Sequence, residues 1–148
     1  MTASPFMLKA LNIASQAMRL TSPNPRVGCV IVNSQGKILG QGHTQKAGGL
    51  HAERVALQDA LNQGNSVEGA TVYVTLEPCA HHGRTGPCCD ALIKAKVGKV
   101  VAALSDPNPW VAGQCIDRLN AACEAQHLNW RKAEDLKEDH LLKQCQCL

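Results

Sequence analysis

With 148 residues and a formal charge of +3 at neutral pH, the chain has the size of one ordinary domain, large enough to bury roughly two-thirds of its unfolded surface around a single core. Its Lys and Arg residues are scattered and leave no electrostatic footprint for a nucleic acid, no stretch reaches the ~18–20 apolar residues of a membrane span, and the N-terminus lacks the basic, apolar, small-residue order of a signal peptide. A soluble, cytoplasmic single module is expected, and in that setting eight cysteines point to metal binding rather than to a disulfide scaffold.

Phe6, Met7, Ala10, Leu11, Ala14, Ala17 and Met18 recur at three- and four-residue spacing and predict an amphipathic helix from Pro5 to Leu20. Thr21-Ser22-Pro23-Asn24-Pro25 must then be a stiff loop, because each proline disfavours helical geometry in itself and in the residue before it. Val27 to Val32 is β-rich and nearly all apolar, Ser34-Gln35-Gly36 reads as a turn, and Lys37 to Gly42 returns as the second arm of a hairpin. After Gly48-Gly49, Ala52, Val55, Ala56 and Ala60 mark one face of a helix from His51 to Leu61. Ala70 to Leu76 reads as a strand buried on both sides. Pro87 suits the first position of a helix running to Lys96, where its missing N–H has no intrahelical partner to lose. Val97 to Leu104 is another buried strand, Asp106-Pro107-Asn108-Pro109 a loop, and Gly113 to Ala125 a moderately amphipathic helix. From Glu134 to Lys143 the chain is polar and helix-prone, with little apolar surface to dock. Strands alternating with helices predict a layered α/β sandwich, and the opening hairpin makes its sheet mixed.

The chemistry gathers in His51-Ala52-Glu53 at one helix start and in Pro78-Cys79 and Pro87-Cys88 flanking the next. First-turn side chains lean back toward the helix N-terminus, so residues two apart can converge just beyond it. Zinc takes about four tetrahedral ligands and a catalytic site keeps one position open, so His51, Cys79 and Cys88 form a complete protein set of three and leave Glu53 as a base. Helix N-terminal surroundings and the metal both favour thiolate over thiol, and zinc lowers the pKa of a bound water toward ~7. Adjacent helical residues point about 100° apart, so only one of Cys88 and Cys89 can join Cys79, and the Pro-Cys context selects Cys88. Cys29 reads as a core residue, and Cys115, Cys123, Cys145 and Cys147 as bystanders.

The pattern is that of the zinc nucleobase deaminases, H-x-E followed by P-C-x-x-C, except that eight residues, Ala80 to Pro87, separate the two cysteines. In Thr21-Ser22-Pro23-Asn24-Pro25 with Val27-Gly28, His51-Ala52-Glu53, Thr75-Leu76-Glu77-Pro78-Cys79, His81-His82-Gly83-Arg84-Thr85, Pro87-Cys88 and Asp106-Pro107-Asn108-Pro109, the chain resembles the deaminase half of the riboflavin-biosynthesis deaminase/reductases over roughly residues 5 to 120. The resemblance implies a cytidine deaminase-like, three-layer α/β/α sandwich. It implies deamination of 2,5-diamino-6-ribosylamino-4(3H)-pyrimidinone 5′-phosphate at ring carbon 2, with Zn²⁺ on His51, Cys79 and Cys88 and Glu53 moving the proton. It also implies a substrate pocket lined by Asn24, His43, His81, Arg84, Asp106 and Asn108.

The resemblance stops short of the family's usual second half. No reductase domain is expected in these residues, and beyond about residue 121 Ala122-Cys123-Glu124-Ala125-Gln126-His127 stands where a glycine-led strand is expected. The expected organisation is a deaminase domain over 1–125 and a divergent polar tail over 126–148. The partners this implies are a small-molecule nucleotide, no nucleic acid and no membrane, with self-association and a separate reductase left open. The competing readings are a deaminase of a base or nucleoside in another pathway, including RNA, and a non-catalytic zinc module. Four aromatic residues make few stacking platforms for an RNA strand, and structural zinc modules usually close the site with a fourth ligand.

Overall fold

The computed structural model describes residues 4–16, 26–45, 50–79, 88–103, 114, 115, 118, 121 and 129–132. The elements are α1 (Pro5–Ser15), β1 (Gly28–Val32), β2 (Ile38–His43), α2 (Ala52–Asn62), β3 (Thr71–Val74), α3 (Cys88–Lys94), β4 (Lys99–Ala102) and β5 (Asn129–Lys132). Gln114, Cys115, Arg118 and Ala121 are helical, within the helix expected from Gly113 to Ala125. Among the described residues no helix is long and apolar enough to cross a membrane.

The strands form one sheet in the order β2-β1-β3-β4-β5. β1 pairs antiparallel with both β2 and β3, while β3–β4 and β4–β5 are parallel, so the sheet is mixed as the hairpin predicts. In the hairpin turn the Asn33 side chain accepts the N–H groups of Gln35 (3.0 Å) and Lys37 (2.9 Å), and Gly36 takes φ +81°, a conformation that strains any residue with a Cβ. The register shifts between Ile31 and Val32, which pair with Gly40 and Ile38, leaving Leu39 as the extra residue of a bulge.

Side-chain alternation sorts the core into two faces. Val30 and Val101 pack with Met7, Ala10, Leu11 and Ile13 of α1, beside Tyr73, whose ring lies 5.4 Å from that of Phe6. Cys29, Ile31, Val72, Val74, Val100 and Ala102 pack on the opposite face with Ala52, Ala56 and Ala60 of α2 and Leu92 of α3. This is a helix–sheet–helix sandwich, the cytidine deaminase-like architecture that the resemblance implies. β3 is buried on one side only, since Thr71 and Tyr73 keep partial exposure while Val72 and Val74 are fully buried.

Most elements differ from their expected bounds by one or two residues at an end, and the larger differences are in α1 and beyond residue 125. α1 closes at Ser15, where the N–H of Gln16 turns back to the carbonyl of Ile13 at 3.0 Å, whereas the periodicity carries on to Met18. Asn129–Lys132 adds a fifth strand, in register Lys99↔Asn129 to Ala102↔Lys132 with β4. The segment Asn-Trp-Arg-Lys has neither an apolar run nor a turn signal to announce a strand, and its pairing comes from backbone bonds to β4, which local pattern does not report.

Candidate metal centre and active site

The C-terminal ends of β2 and β3 meet the N-terminal end of β1 at one rim of the sheet, where Gly28 pairs with His43 and Cys29 with Val74. Two buried threonines latch this rim. Thr75 accepts the N–H of Gly28 on its hydroxyl and returns its own N–H to the Gly28 carbonyl, both at 3.1 Å; Thr44 does the same for Val27 at 3.0 and 2.9 Å. The chain therefore leaves β3 along a fixed path to Cys79.

α3 is seated on Cys79. The N–H of Cys88 points at the Cys79 sulfur (3.2 Å) and that of Cys89 donates to the Cys79 carbonyl (3.0 Å). On the other side His51 is the N-cap of α2, with extended φ −73° and ψ 160°, and its carbonyl accepts the N–H of Val55 at 3.0 Å. The His51 Nδ1 consequently stands 3.6 Å from the Cys79 Sγ and 3.3 Å from the Cys88 Sγ. All three donor atoms lie within 4.8 Å of one another, and burial rises from exposed His51 through half-buried Cys79 to buried Cys88.

These spacings suit a metal ion. Tetrahedral zinc with bonds of ~2.0 Å to nitrogen and ~2.3 Å to sulfur requires N···S separations of about 3.5 Å, close to both distances here. The electrostatics agree. The Cys88 thiol, then His51 and the Cys88 N–H, hold the Cys79 thiol down to about 4 against its partial burial, so that sulfur is anionic at neutral pH. The same Cys79 sulfur pushes His51 upward and, with burial, pushes Cys88 upward. A cation bound by these three donors would displace the protons they otherwise carry.

Glu53, in the first turn of α2, is buried (4% exposed) beside this triad. Burial is the main force raising its carboxyl above the ordinary range; the Cys79 thiolate adds to it, and its own backbone N–H and His51 oppose it. A carboxyl moved toward neutral pH is suited to taking up and giving back a proton. Cys29 lies fully buried in β1, its thiol pushed up by burial first and by the Glu53 charge second. It is a core residue, as its strand context implies.

His43 closes β2 at the same rim. Its Nδ1 lies 3.0 Å from the Thr44 carbonyl, which can only accept, so Nδ1 carries a proton and donates there. Asn24, His81, Arg84, Asp106 and Asn108 lie outside the described residues. Arg54 escaped the sequence reading. Its charge opposes the protonation of both His51 and Cys88. Its position directly after Glu53 was the only signal.

A family model for the cytidine and deoxycytidylate deaminase zinc-binding region matches residues 1–104. The riboflavin biosynthesis protein RibD of Escherichia coli is 51% identical over 138 residues, covering 92% of this chain and 36% of that protein. The structure of Acinetobacter baumannii RibD superposes with a TM-score of 0.82 at 45% identity, over 95% of this chain and 37% of the other. The diaminohydroxyphosphoribosylaminopyrimidine deaminase/5-amino-6-(5-phosphoribosylamino)uracil reductase of Thermotoga maritima gives a TM-score of 0.82 at 36% identity, over 95% and 38%. The chain spans a little over a third of the length of these relatives.

Proposed function

The chain belongs to the cytidine and deoxycytidylate deaminase zinc-binding family, and we propose that within it the protein is a zinc-dependent hydrolase that deaminates 2,5-diamino-6-ribosylamino-4(3H)-pyrimidinone 5′-phosphate, as the deaminase named in the Thermotoga relative suggests. The observation that carries the reading is the convergence of His51 Nδ1 with the Cys79 and Cys88 sulfurs, with a buried Glu53 alongside. His51, Cys79 and Cys88 hold Zn²⁺, which when bound lowers the pKa of a water toward ~7 and so supplies a nucleophile at neutral pH.

Glu53 carries the proton. It accepts one from the attacking water as the new C–O bond forms at ring carbon 2, and delivers it to the exocyclic nitrogen as the C–N bond breaks. On attack the C2=N π pair moves to the ring nitrogen, which takes one water proton. The other reaches the leaving amine through Glu53 as the C2 carbonyl forms, so one water gives ammonia and the uracil nucleotide with no net change at Glu53. Burial supports this role by raising the carboxyl above its ordinary range, which favours its taking up a proton.

Asn24, His43, His81, Arg84, Asp106 and Asn108 bind the substrate, with His43 held by its Nδ1 contact to the Thr44 carbonyl. Residues 1–125 are the catalytic domain, and β5 extends its sheet from the 126–148 segment. The uracil product is the substrate class for the reduction that the Thermotoga relative's name joins to its deaminase. The setting is cytoplasmic.

The test is ammonia release from the diaminopyrimidinone nucleotide beside cytidine and a tRNA. Turnover on the nucleotide alone is expected. Turnover on tRNA or cytidine instead would assign the chain to another deaminase branch, and zinc binding without ammonia from any of the three would make it a non-catalytic module.

A further inference from the structure

Every group that α2 brings to the metal centre lies at its N-terminal end, so the seat of this helix on the sheet decides where His51 and Glu53 stand. α2 packs chiefly against β2, and the contact is unusually close. At Gly42 a Cβ would meet Val55 Cγ1 at 2.5 Å, Val55 Cβ at 2.7 Å and the Ala56 nitrogen at 2.9 Å. The position has no room for a methyl group. Val55 is also the residue whose N–H binds the His51 carbonyl at 3.0 Å, and a helical rise of 1.5 Å per residue puts it about 6 Å along the axis from the ligand.

One residue earlier in β2, the N–H of Gln41 donates to the Asp59 carboxylate at 2.9 Å. That bond ties the edge strand to the middle of the helix and fixes α2 along its axis, about 12 Å from His51 at the same rise per residue. Gly42, together with Gly40, whose Cβ would overlap the Ala56 carbonyl oxygen, therefore lets α2 lie this near the sheet, Gly42 being the one beside the first turns, and Asp59 ties the helix to the strand along its axis.

We infer that Gly42 and Asp59 are positioning residues of the metal centre, holding α2 at the standoff and axial register that bring His51 Nδ1 to the two cysteine sulfurs. The inference rests on the reading of His51, Cys79 and Cys88 as zinc ligands. Non-bonded carbons settle at about 3.5–4.0 Å, so a methyl at position 42 must displace the first turns of α2 by about 1 Å. Metal–ligand distances tolerate about 0.2 Å, so a displacement of that size is felt at the ion even where the fold absorbs it.

The experiment compares the wild-type chain with Gly42→Ala, Asp59→Ala and Gly98→Ala. Gly98 is the control, because its Cβ would meet the Gly69 carbonyl at 2.6 Å at the N-terminal end of β4, the end away from the metal rim. Zinc affinity is read by competition with a chromogenic chelator, ligand geometry by the visible spectrum of the Co²⁺-loaded protein, and folding by thermal denaturation. Gly42→Ala and Asp59→Ala should weaken zinc binding ~10–100-fold, the range for residues that orient metal ligands, and alter the Co²⁺ bands. Gly98→Ala should lower the melting temperature with affinity and spectrum unchanged. Wild-type affinity in folded Gly42→Ala overturns the inference. Where Gly42→Ala does not fold, wild-type affinity in Asp59→Ala overturns it. Equal weakening in Gly98→Ala also overturns it, since the effect then follows stability alone. A wild-type chain that takes no zinc fails at the earlier step, the metal reading itself.

Discussion

Cys88 and Cys89 are neighbours in sequence and face opposite tasks. The Cys88 sulfur stands 3.3 Å from His51 Nδ1, while the Cys89 sulfur stands 3.8 Å from the Cys115 carbonyl. Cys89 and Cys115 are both buried, and close by in sequence Asp90 of α3 and Arg118 form a 2.7 Å ion pair. Cys115, otherwise a bystander in the sequence, thus helps to hold the helix that carries Cys88.

This division of labour predicts separable effects. Protein purified without added metal should contain about one zinc per chain, and Cys88→Ser, like Cys79→Ser and His51→Ala, should lose it, because three donors are the minimum of a catalytic zinc set. Cys89→Ser should keep its zinc and lose thermal stability, since the smaller oxygen gives up buried packing and is drawn back from the Cys115 carbonyl, at a cost of about 1–3 kcal/mol. Elemental analysis and thermal denaturation of the four variants distinguish the roles. A Cys89→Ser protein without zinc beside a fully loaded Cys88→Ser would reverse them.

Glu53→Gln should retain zinc and fold while losing nearly all turnover. The amide keeps the size of the carboxylate and cannot carry the proton, and general acid–base groups contribute ~10²–10⁴-fold. Steady-state ammonia release by the zinc-loaded variant is the measurement. A rate within a few-fold of the parent would remove Glu53 from the proton path.

The convergence of His51, Cys79 and Cys88 was legible because metal ligation constrains residue type and helix-start position together, so His51-Ala52-Glu53 and two Pro-Cys pairs carried it in their spacing. The apolar strands were legible for the same kind of reason, since Cys29 to Val32 and Val100 to Ala102 are locally apolar whatever they pair with. What the sequence withheld depends on distant partners. Gly42 looked like a hairpin residue, and its closeness to Val55 appears only when α2 is laid on β2. Asp59 gave no sign of its bond to Gln41, eighteen positions away. β5 has no apolar pattern at all, because a parallel edge strand can be specified by the strand beside it.

That last point predicts an asymmetry between two neighbouring substitutions. β5 pairs in parallel with β4 through Val100↔Trp130 and Val101↔Arg131, and it ends the sheet among the described residues. Alternate residues of such an edge strand turn their N–H toward the neighbour and away from it, and proline is tolerated only at the outward ones. One of Trp130→Pro and Arg131→Pro should therefore remove a ladder bond and cost about 1–3 kcal/mol more than the other. Denaturant titrations of both variants provide the comparison. Equal losses, or none in either, would mean that β5 does not contribute a parallel ladder to the folded sheet.

The final prediction concerns the phosphate of the proposed substrate. Arg84 lies in sequence between Cys79 and Cys88, which meet at one centre, so no more than five residues separate it from either of the donors beside which the proposed reaction occurs. A guanidinium so tethered can make charge-assisted, often bidentate bonds to a phosphate, each stronger than a neutral hydrogen bond. The nucleotide should accordingly be preferred strongly over its dephosphorylated nucleoside. Arg84→Ala should lower kcat/KM for the nucleotide ~10–100-fold, taking one charged bond as ~1.5–3 kcal/mol, and scarcely change the slower rate on the nucleoside. An arginine that merely braces the loop would instead cost the same factor on both substrates, because loop distortion disturbs the ring whether or not a phosphate is attached. Two substrates measured with two proteins isolate the phosphate contact as a difference of differences, and equal losses would place Arg84 outside the binding site.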